Sequence, residues 1–284
     1  MALTTLIATE TLATHIDDAS FAIVDCRFRL DDPGWGEREY EAAHIPGAVY
    51  AHLDRDLSST PTGTNGRHPL PDPSELRRRL GTFGIAPGVQ VVAYDQDTGA
   101  FASRLWWLLR WVGHRAVAVL DGGLAKWTAE GRPTRGGIER RKQADFTGER
   151  NRDMMVDAAT VAQVTKRRDW RLLDARAPER YRGEVEPIDK KAGHIPTAVN
   201  HPFQTNLTAG GTFRSPSELR GQFEASLGSV PPPQIIAYCG SGVTACHNLL
   251  AMEHAGLHGA KLYPGSWSEW SADASNPTAT GPQP

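Results

Sequence analysis

The sequence of 284 residues predicts two copies of one α/β domain, each a mainly parallel β-sheet with helices on both faces. One observation is an internal repeat, because four landmarks of the first half return about 145 residues later. Another is that short apolar runs of strand length alternate with helical patterns within each copy. The paired landmarks are Asp25 with Asp174, His44 with His194, Tyr94 with Tyr238, and Trp127 with Trp270.

The central strand of each copy is a continuous apolar run. Residues 89–94 and 234–238 form these runs, which are typical of strands covered on both faces. Apolar residues at helical spacing then predict helices over 102–112 and 243–255. Since ligands bind at the carboxyl ends of strands in parallel α/β sheets, the loops that follow these two strands are the places to look for a site.

The repeat also sets the domain boundaries. We expect the first copy over residues 1–135, a linker over 136–153, the second copy over 154–273 and a tail over 274–284. The linker is polar, rich in Arg and Gly, and without apolar periodicity. The tail is rich in Pro, Thr, Ala and Gly.

The composition excludes several classes of protein. Lys and Arg number 31 against 33 Asp and Glu, so the net charge of −2 provides no basic excess for nucleic acid or an anionic membrane. No run approaches the roughly 18 apolar residues that span a bilayer, and the first residues lack the pattern of a secretory signal. Cys26, Cys239 and Cys246 have no C-x-x-C spacing, which argues against a disulfide framework or a structural metal site. We therefore expect a cytoplasmic protein.

Residue types that both copies share indicate structure, whereas residues that differ indicate chemistry. The shared pairs are Asp25 with Arg27 and Asp174 with Arg176, at the ends of predicted strands. Because the same pair returns at the same place, we predict that both form structural ion pairs or hydrogen bonds.

The loops after the central strands differ, since the first copy has Asp95 where the second has Cys239. Gly240 and Gly242 allow successive backbone N–H groups to point at one spot, beside the amino end of a helix. Such a loop stabilises a thiolate or another anion, so we predict that Cys239 is a nucleophile. The alternative is a buried, inert cysteine.

Two other motifs fit this loop only in part. Gly240, Gly242 and Ala245 have the spacing of a dinucleotide-binding loop, but no acidic residue follows about 20 positions later at the end of the next strand. A phosphatase loop of the type C-x5-R needs an arginine six residues after Cys239, where this sequence has Ala245.

With these motifs, the chain resembles the two-domain rhodanese-type sulfurtransferases over nearly its whole length. The resemblance rests on the Asp-for-Cys exchange, the two His-Ile-Pro turns, the closing Gly-Ser-Trp-Ser-Glu-Trp segment and the loop Cys-Gly-Ser-Gly-Val-Thr-Ala. It implies two rhodanese-like domains, of which the first is catalytically inactive and the second active. It also implies a two-step transfer without metal or organic cofactor, in which Cys239 carries sulfur as a persulfide.

The resemblance implies roles for further residues. Ser241 and His44 would assist proton delivery, although His194 is the twin of His44 and a structural role for both stays open. Arg180, in the stretch Arg-Tyr-Arg-Gly, would bind the carboxylate of the donor. A second donor arginine of the family falls on Ile188, where it is absent, and Lys190 or Lys191 would have to replace it. The loop positions implied to contact substrate are Gly240, Gly242, Val243 and Thr244.

The loop is the version typical of 3-mercaptopyruvate sulfurtransferases, since the thiosulfate-preferring members carry two basic residues directly after the cysteine. The resemblance therefore implies 3-mercaptopyruvate as the small anionic sulfur donor, with thiosulfate as the alternative. The acceptor would be cyanide, a small thiol or a thioredoxin-like protein, and we expect a monomer. A non-catalytic persulfide carrier remains a further alternative, which would keep Cys239 but need no donor arginine.

Overall fold

The computed structural model describes residues 2–284, which form two compact units. Unit 1 consists of residues 2–59, 71–151 and 209–212. Unit 2 consists of Thr60–Leu70, Arg152–Thr208 and Phe213–Pro284. Each half of the chain therefore gives one loop to the unit that the other half mainly builds. The predicted boundaries, with continuous copies over 1–135 and 154–273, do not include this exchange, because polar loops have no periodicity that would reveal it.

Unit 1 contains one parallel sheet and six helices among the described residues. The strands are β1 (Leu6–Ile7), β2 (Phe21–Asp25), β3 (Val49–Tyr50), β4 (Gln90–Tyr94) and β5 (Val117–Leu120). They lie in the order β1-β5-β4-β2-β3. The helices are α1 (Thr9–Ala13), α2 (Trp35–Ala42), α3 (Leu53–Asp56), α4 (Pro73–Thr82), α5 (Ala102–Trp111) and α6 (Gly123–Ala129).

Unit 2 repeats this plan with a four-stranded parallel sheet. Its strands are β6 (Arg171–Asp174), β7 (Ala198–Asn200), β8 (Ile235–Tyr238) and β9 (Lys261–Leu262), in the order β7-β6-β8-β9. Its helices are α7 (Ala158–Val164), α8 (Pro178–Tyr181), α9 (Pro216–Leu227), α10 (Thr244–His254) and α11 (Ser266–Trp270). Short 3₁₀ helices lie at Arg152–Met154, Phe203–Asn206 and Pro232–Gln234. The predicted α/β fold with two parallel sheets flanked by helices is confirmed.

The central strands and the helices after them agree with the sequence pattern. All residues of β4 and β8 are buried, as expected for strands covered on both faces. The predicted helices over 102–112 and 243–255 correspond to α5 and α10, which end one residue or so earlier. Helix α9 begins with a capping box, in which Ser215 and Glu218 satisfy each other's backbone N–H groups.

The predicted linker and tail are ordered against the units. In residues 136–151, the Gly137 N–H donates to the Glu41 carbonyl at 2.8 Å and the Ala144 N–H donates to the Gly81 carbonyl at 3.0 Å. These bonds attach the segment to unit 1. In the tail, Ala279 forms an antiparallel bridge with His194 in unit 2. Both polar segments are therefore attached to the units through backbone hydrogen bonds.

Each unit contains the predicted buried ion pair at the end of a strand. The Arg27 guanidinium donates to Asp25 at 2.7 Å, and its Nη2 also donates to the Ala43 carbonyl at 2.7 Å. Arg176 makes the same bonds to Asp174 and to the Gly193 carbonyl, also at 2.7 Å. The two pairs connect the ends of β2 and β6 to the turns before β3 and β7. They therefore fix the edge of each sheet where the loops begin.

We predict that Arg27→Met lowers the free energy of unfolding by about 3–5 kcal/mol, because it leaves the buried Asp25 carboxylate without its partner. Urea denaturation followed by tryptophan fluorescence measures the change. Arg29→Met is the matched control, since Arg29 pairs with Asp31 on the exposed surface. Equal midpoints for the two variants would contradict a structural role for the buried pair.

Candidate active site

Cys239 follows β8 directly and precedes α10, at the carboxyl edge of the unit 2 sheet. Its side chain is buried. Its backbone N–H donates to Ser266 Oγ at 3.1 Å, and its carbonyl accepts from the Trp267 N–H at 2.9 Å. Both partners belong to α11, so this helix holds the start of the loop in place.

Gly242 is the turning point of the loop. Its φ of +75° lies in the left-handed region, and a Cβ there would lie 2.4 Å from the Pro264 carbonyl oxygen. A side chain is therefore excluded both by conformation and by space. This geometry agrees with the prediction that Gly242 allows the loop to turn.

The corresponding loop of unit 1 surrounds a carboxylate with backbone N–H groups. There the Asp95 carboxylate accepts hydrogen bonds from the backbone N–H groups of Gly99 at 2.9 Å, Phe101 at 2.8 Å and Ala102 at 3.2 Å. A further N–H, from Asp97, lies at 3.2 Å. Burial raises the pKa of Asp95, and these N–H groups offset part of that change. The loop of unit 1 is thus a built anion site that is filled by its own side chain.

Unit 2 has a similar loop, which is one residue shorter between the end of the strand and its left-handed glycine. Gly99 and Gly242 share a positive φ, of +79° and +75°, and matching them pairs Phe101 with Thr244 and Ala102 with Ala245. Within the part of the chain that the structure describes, no acceptor is bonded to the N–H groups of Thr244 and Ala245. The loop that carries Cys239 therefore retains donors that an anion can use.

Ser241 is hydrogen bonded to a histidine that was not predicted. His68 Nδ1 lies 2.7 Å from Ser241 Oγ, and both side chains are buried. His68 belongs to Thr60–Leu70, the segment that the first half of the chain contributes to unit 2. Comparison of the two copies, which singled out Cys239, could also have found His68. When the prolines that begin α4 and α9 are aligned, the second copy has Gly211 at the position of His68.

His44 lies in unit 1 and has the surroundings of its twin. It is fully buried, stacks on Tyr40 at 4.3 Å and has Nδ1 2.7 Å from the Tyr40 carbonyl. His194 stacks on Tyr181 at 3.7 Å and has Nδ1 2.8 Å from the Tyr181 carbonyl. The similar packing of the two histidines favours a structural role for both, and the structure describes no contact between His44 and the loop that carries Cys239.

Arg180, the predicted donor ligand, lies in α8 beside the loop. Its Nη2 donates to Glu186 at 2.7 Å and to Asp189 at 3.1 Å, and 17% of its side chain is exposed. A Cβ placed on Gly240 would be 3.5 Å from its Nη1. The guanidinium is therefore held by carboxylates while one of its nitrogens faces the residue directly after Cys239.

The remaining predicted residues occupy the loop and its neighbourhood. Val243 is buried and Thr244 is half-buried. Ile188 is 46% exposed, and Lys191 Nζ donates to the Asp273 carbonyl at 3.0 Å and to the Ala274 carbonyl, at the start of the tail, at 3.4 Å. Lys191 is thus engaged with the tail, which argues against it as a replacement donor ligand. Among residues 2–284, no three His, Cys, Asp or Glu side chains are grouped so as to hold a metal ion, and no helix is both long and apolar enough to span a membrane.

Known proteins are similar to this chain in both sequence and fold. A model of the rhodanese-like domain matches residues 8–130 and again 157–273. The chain is 48% identical over 278 residues to a Pseudomonas aeruginosa protein whose curated name is probable 3-mercaptopyruvate sulfurtransferase, covering 97% of this chain and 98% of that protein. It is 37% identical over 247 residues to the thiosulfate sulfurtransferase of Bos taurus, covering 84% and 81% of the two chains.

A solved structure extends the comparison to the fold. The 3-mercaptopyruvate sulfurtransferase from Leishmania major superposes with a TM-score of 0.84 at 29% identity, covering 94% of this chain and 74% of that one. A cysteine loop at the carboxyl edge of a parallel sheet, in a fold present twice, thus defines a rhodanese-like protein. More narrowly, the chain belongs to the two-domain rhodanese-type sulfurtransferases, and the resemblance found in the sequence is confirmed.

We predict that Asp95→Ala lowers the free energy of unfolding by about 2–4 kcal/mol, because several buried N–H groups lose their common acceptor. Urea denaturation measures this loss. Asp97→Ala, in the same loop at an exposed position, is the control. If both variants unfold at the wild-type midpoint, the carboxylate is not what holds the loop of unit 1.

Proposed function

We propose that the protein transfers sulfur from 3-mercaptopyruvate to a nucleophilic acceptor through a persulfide on Cys239. The observation that carries this proposal is the pair of matched loops. The loop of unit 1 surrounds the Asp95 carboxylate with N–H groups, and the loop of unit 2 offers the equivalent N–H groups of Thr244 and Ala245 beside a cysteine. A site built for an anion stabilises a thiolate and, after transfer, the charged outer sulfur of a persulfide.

In the first step, the Cys239 thiolate attacks the sulfur of 3-mercaptopyruvate. A new S–S bond forms while the C–S bond of the donor breaks, and the electron pair of that bond leaves on the pyruvate enolate. The enolate then takes up one proton to become pyruvate. Without that proton the leaving group is a poor one, so proton delivery is the demanding part of this step.

Ser241 and His68 are suited to supply the proton. Their side chains lie 2.7 Å apart, and Ser241 is two residues from the nucleophile. In the proposed sequence, the Ser241 hydroxyl donates to the enolate and His68 replaces the proton. Arg180 binds the donor's carboxylate through the nitrogen that faces Gly240.

In the second step, an acceptor attacks the outer sulfur of the persulfide. A thiolate acceptor forms a new persulfide and returns Cys239 to its thiolate, whereas cyanide forms thiocyanate. The acceptor classes we propose are cyanide, a small thiol and a thioredoxin-like protein. We also propose that the protein works as a cytoplasmic monomer, in which unit 1 is non-catalytic because Asp95 occupies its loop.

Thiosulfate is the second candidate donor, supported by the similarity to the Bos taurus enzyme. Its sulfur transfer releases sulfite, a leaving group that needs no proton. The buried pair of His68 and Ser241 has no task in that reaction, which favours 3-mercaptopyruvate. A persulfide carrier without donor chemistry would need neither this pair nor Arg180.

We predict that Cys239→Ser abolishes sulfur transfer from either donor while the protein stays folded. Steady-state formation of thiocyanate from 3-mercaptopyruvate and thiosulfate, measured in parallel, reports the donor preference, and wild type should favour 3-mercaptopyruvate in kcat/KM. Cys26→Ala is the matched control, because the second copy already carries Ala175 at that position. Turnover by Cys239→Ser at the wild-type rate would remove the central claim. Absence of turnover by wild type with both donors would favour the carrier.

We predict that Ser241→Ala and His68→Gln each lower kcat with 3-mercaptopyruvate by roughly 10²-fold, since both variants interrupt proton delivery. With thiosulfate the same variants should stay within about threefold of wild type, because sulfite leaves unprotonated. The comparison of donors in one variant separates lost chemistry from lost structure. Equal losses with both donors would argue that the pair only supports the loop.

A further inference from the structure

A second guanidinium lies beside the cysteine loop, in a segment where no donor ligand was predicted. We propose that Arg67 binds the donor's carboxylate together with Arg180, and that it selects donors that carry a carboxylate. This inference rests on the proposed function and names a specificity-determining residue for it. Arg67 belongs to Thr60–Leu70, which is part of unit 2.

The backbone around Arg67 is fixed on α11. The Arg67 N–H donates to Ser268 Oγ at 3.0 Å, and that hydroxyl in turn donates to the Gly265 carbonyl at 3.1 Å. A Cβ on Gly66 would lie 2.8 Å from the same carbonyl oxygen, so the segment rests directly on this backbone. Since α11 also holds Cys239, one short helix positions both the cysteine and Arg67.

The Arg67 side chain has donors that the protein leaves unused. Its Nη1 donates to Asp189 at 2.7 Å, and its Nε is buried without an acceptor among residues 2–284. A Cβ on Gly240 would lie 3.0 Å from its Nη2, against 3.5 Å from Arg180 Nη1. Two guanidinium groups therefore point spare nitrogens at the same place, directly after Cys239. A planar carboxylate is the ligand that such paired N–H groups fit.

Asp189 holds the two cations together. Its Oδ1 accepts from Arg67 and its Oδ2 accepts from Arg180 at 3.1 Å, with only 6% of the side chain exposed. Without this carboxylate the two positive charges would repel each other next to the loop. The neighbouring Ile188 is apolar, so the second positive charge comes from Arg67 in place of a residue at 188 or the tail-bound Lys191.

A side chain at position 240 would require the Arg67 guanidinium to shift. An added Cβ would come within 3.0 Å of the Arg67 guanidinium. The loop itself carries no basic residue between Cys239 and Ala245. Positive charge for an anionic donor is thus supplied from outside the loop, by two arginines that share one carboxylate.

The test compares a donor with a carboxylate and one without. Arg67→Met and Arg180→Met are assayed with 3-mercaptopyruvate and with mercaptoacetone, its neutral analogue. We expect each variant to raise KM for 3-mercaptopyruvate by about 10- to 100-fold, as the loss of a charged hydrogen bond implies. For mercaptoacetone, kcat/KM should stay within about twofold of wild type. Arg182→Met is the matched control, because Arg182 pairs with the exposed Glu184.

A binding measurement keeps this inference separate from the proposed reaction. In a Cys239→Ser background, ligand-observed NMR titration gives the affinity for pyruvate with and without Arg67→Met. Weaker pyruvate binding supports the inference whether or not the wild type turns over. Unchanged pyruvate affinity, or equal losses with both sulfur donors, overturns it and leaves Arg67 as a structural partner of Asp189. Wild-type protein without turnover would instead overturn the proposed function.

Discussion

A series of alternating charges inside unit 2 connects the sheet to the cysteine loop, and the site depends on it. It begins with the buried pair at the end of β6 and continues because Arg176 also donates to Glu186 at 3.3 Å, which in turn holds Arg180. In unit 1 the pair formed by Arg27 ends at a backbone carbonyl, and the described residues do not extend it. The members in order are Asp174, Arg176, Glu186, Arg180, Asp189 and Arg67.

This series explains how long, flexible arginine side chains are held in one geometry. An isolated arginine loses much side-chain entropy when it is held in one geometry. Here each guanidinium is bonded to a buried carboxylate in the folded chain, so that loss of entropy is part of folding. The balance of three cations and three carboxylates also lets positive charge collect beside the loop while the protein's net charge stays at −2.

The sequence was sufficient for features that depend on local pattern or on the repeat. The central strands, the helices α5 and α10, the buried ion pairs and the contrast of Asp95 with Cys239 all follow from apolar periodicity and from comparing the two copies. His68 and Arg67 lie in a polar loop whose partners are far away in the chain, since His68 and Ser241 are 173 positions apart. Such pairing leaves no periodic signal, and the resemblance directed attention to His44, whose turn occurs in both copies.

The exchange of loops between the units has a consequence for each half of the chain taken alone. The half of the gene that encodes Cys239 does not encode His68 or Arg67, since Thr60–Leu70 comes from the other half. The second half of the chain, made alone, would therefore keep Cys239 and lose two of the polar side chains beside it.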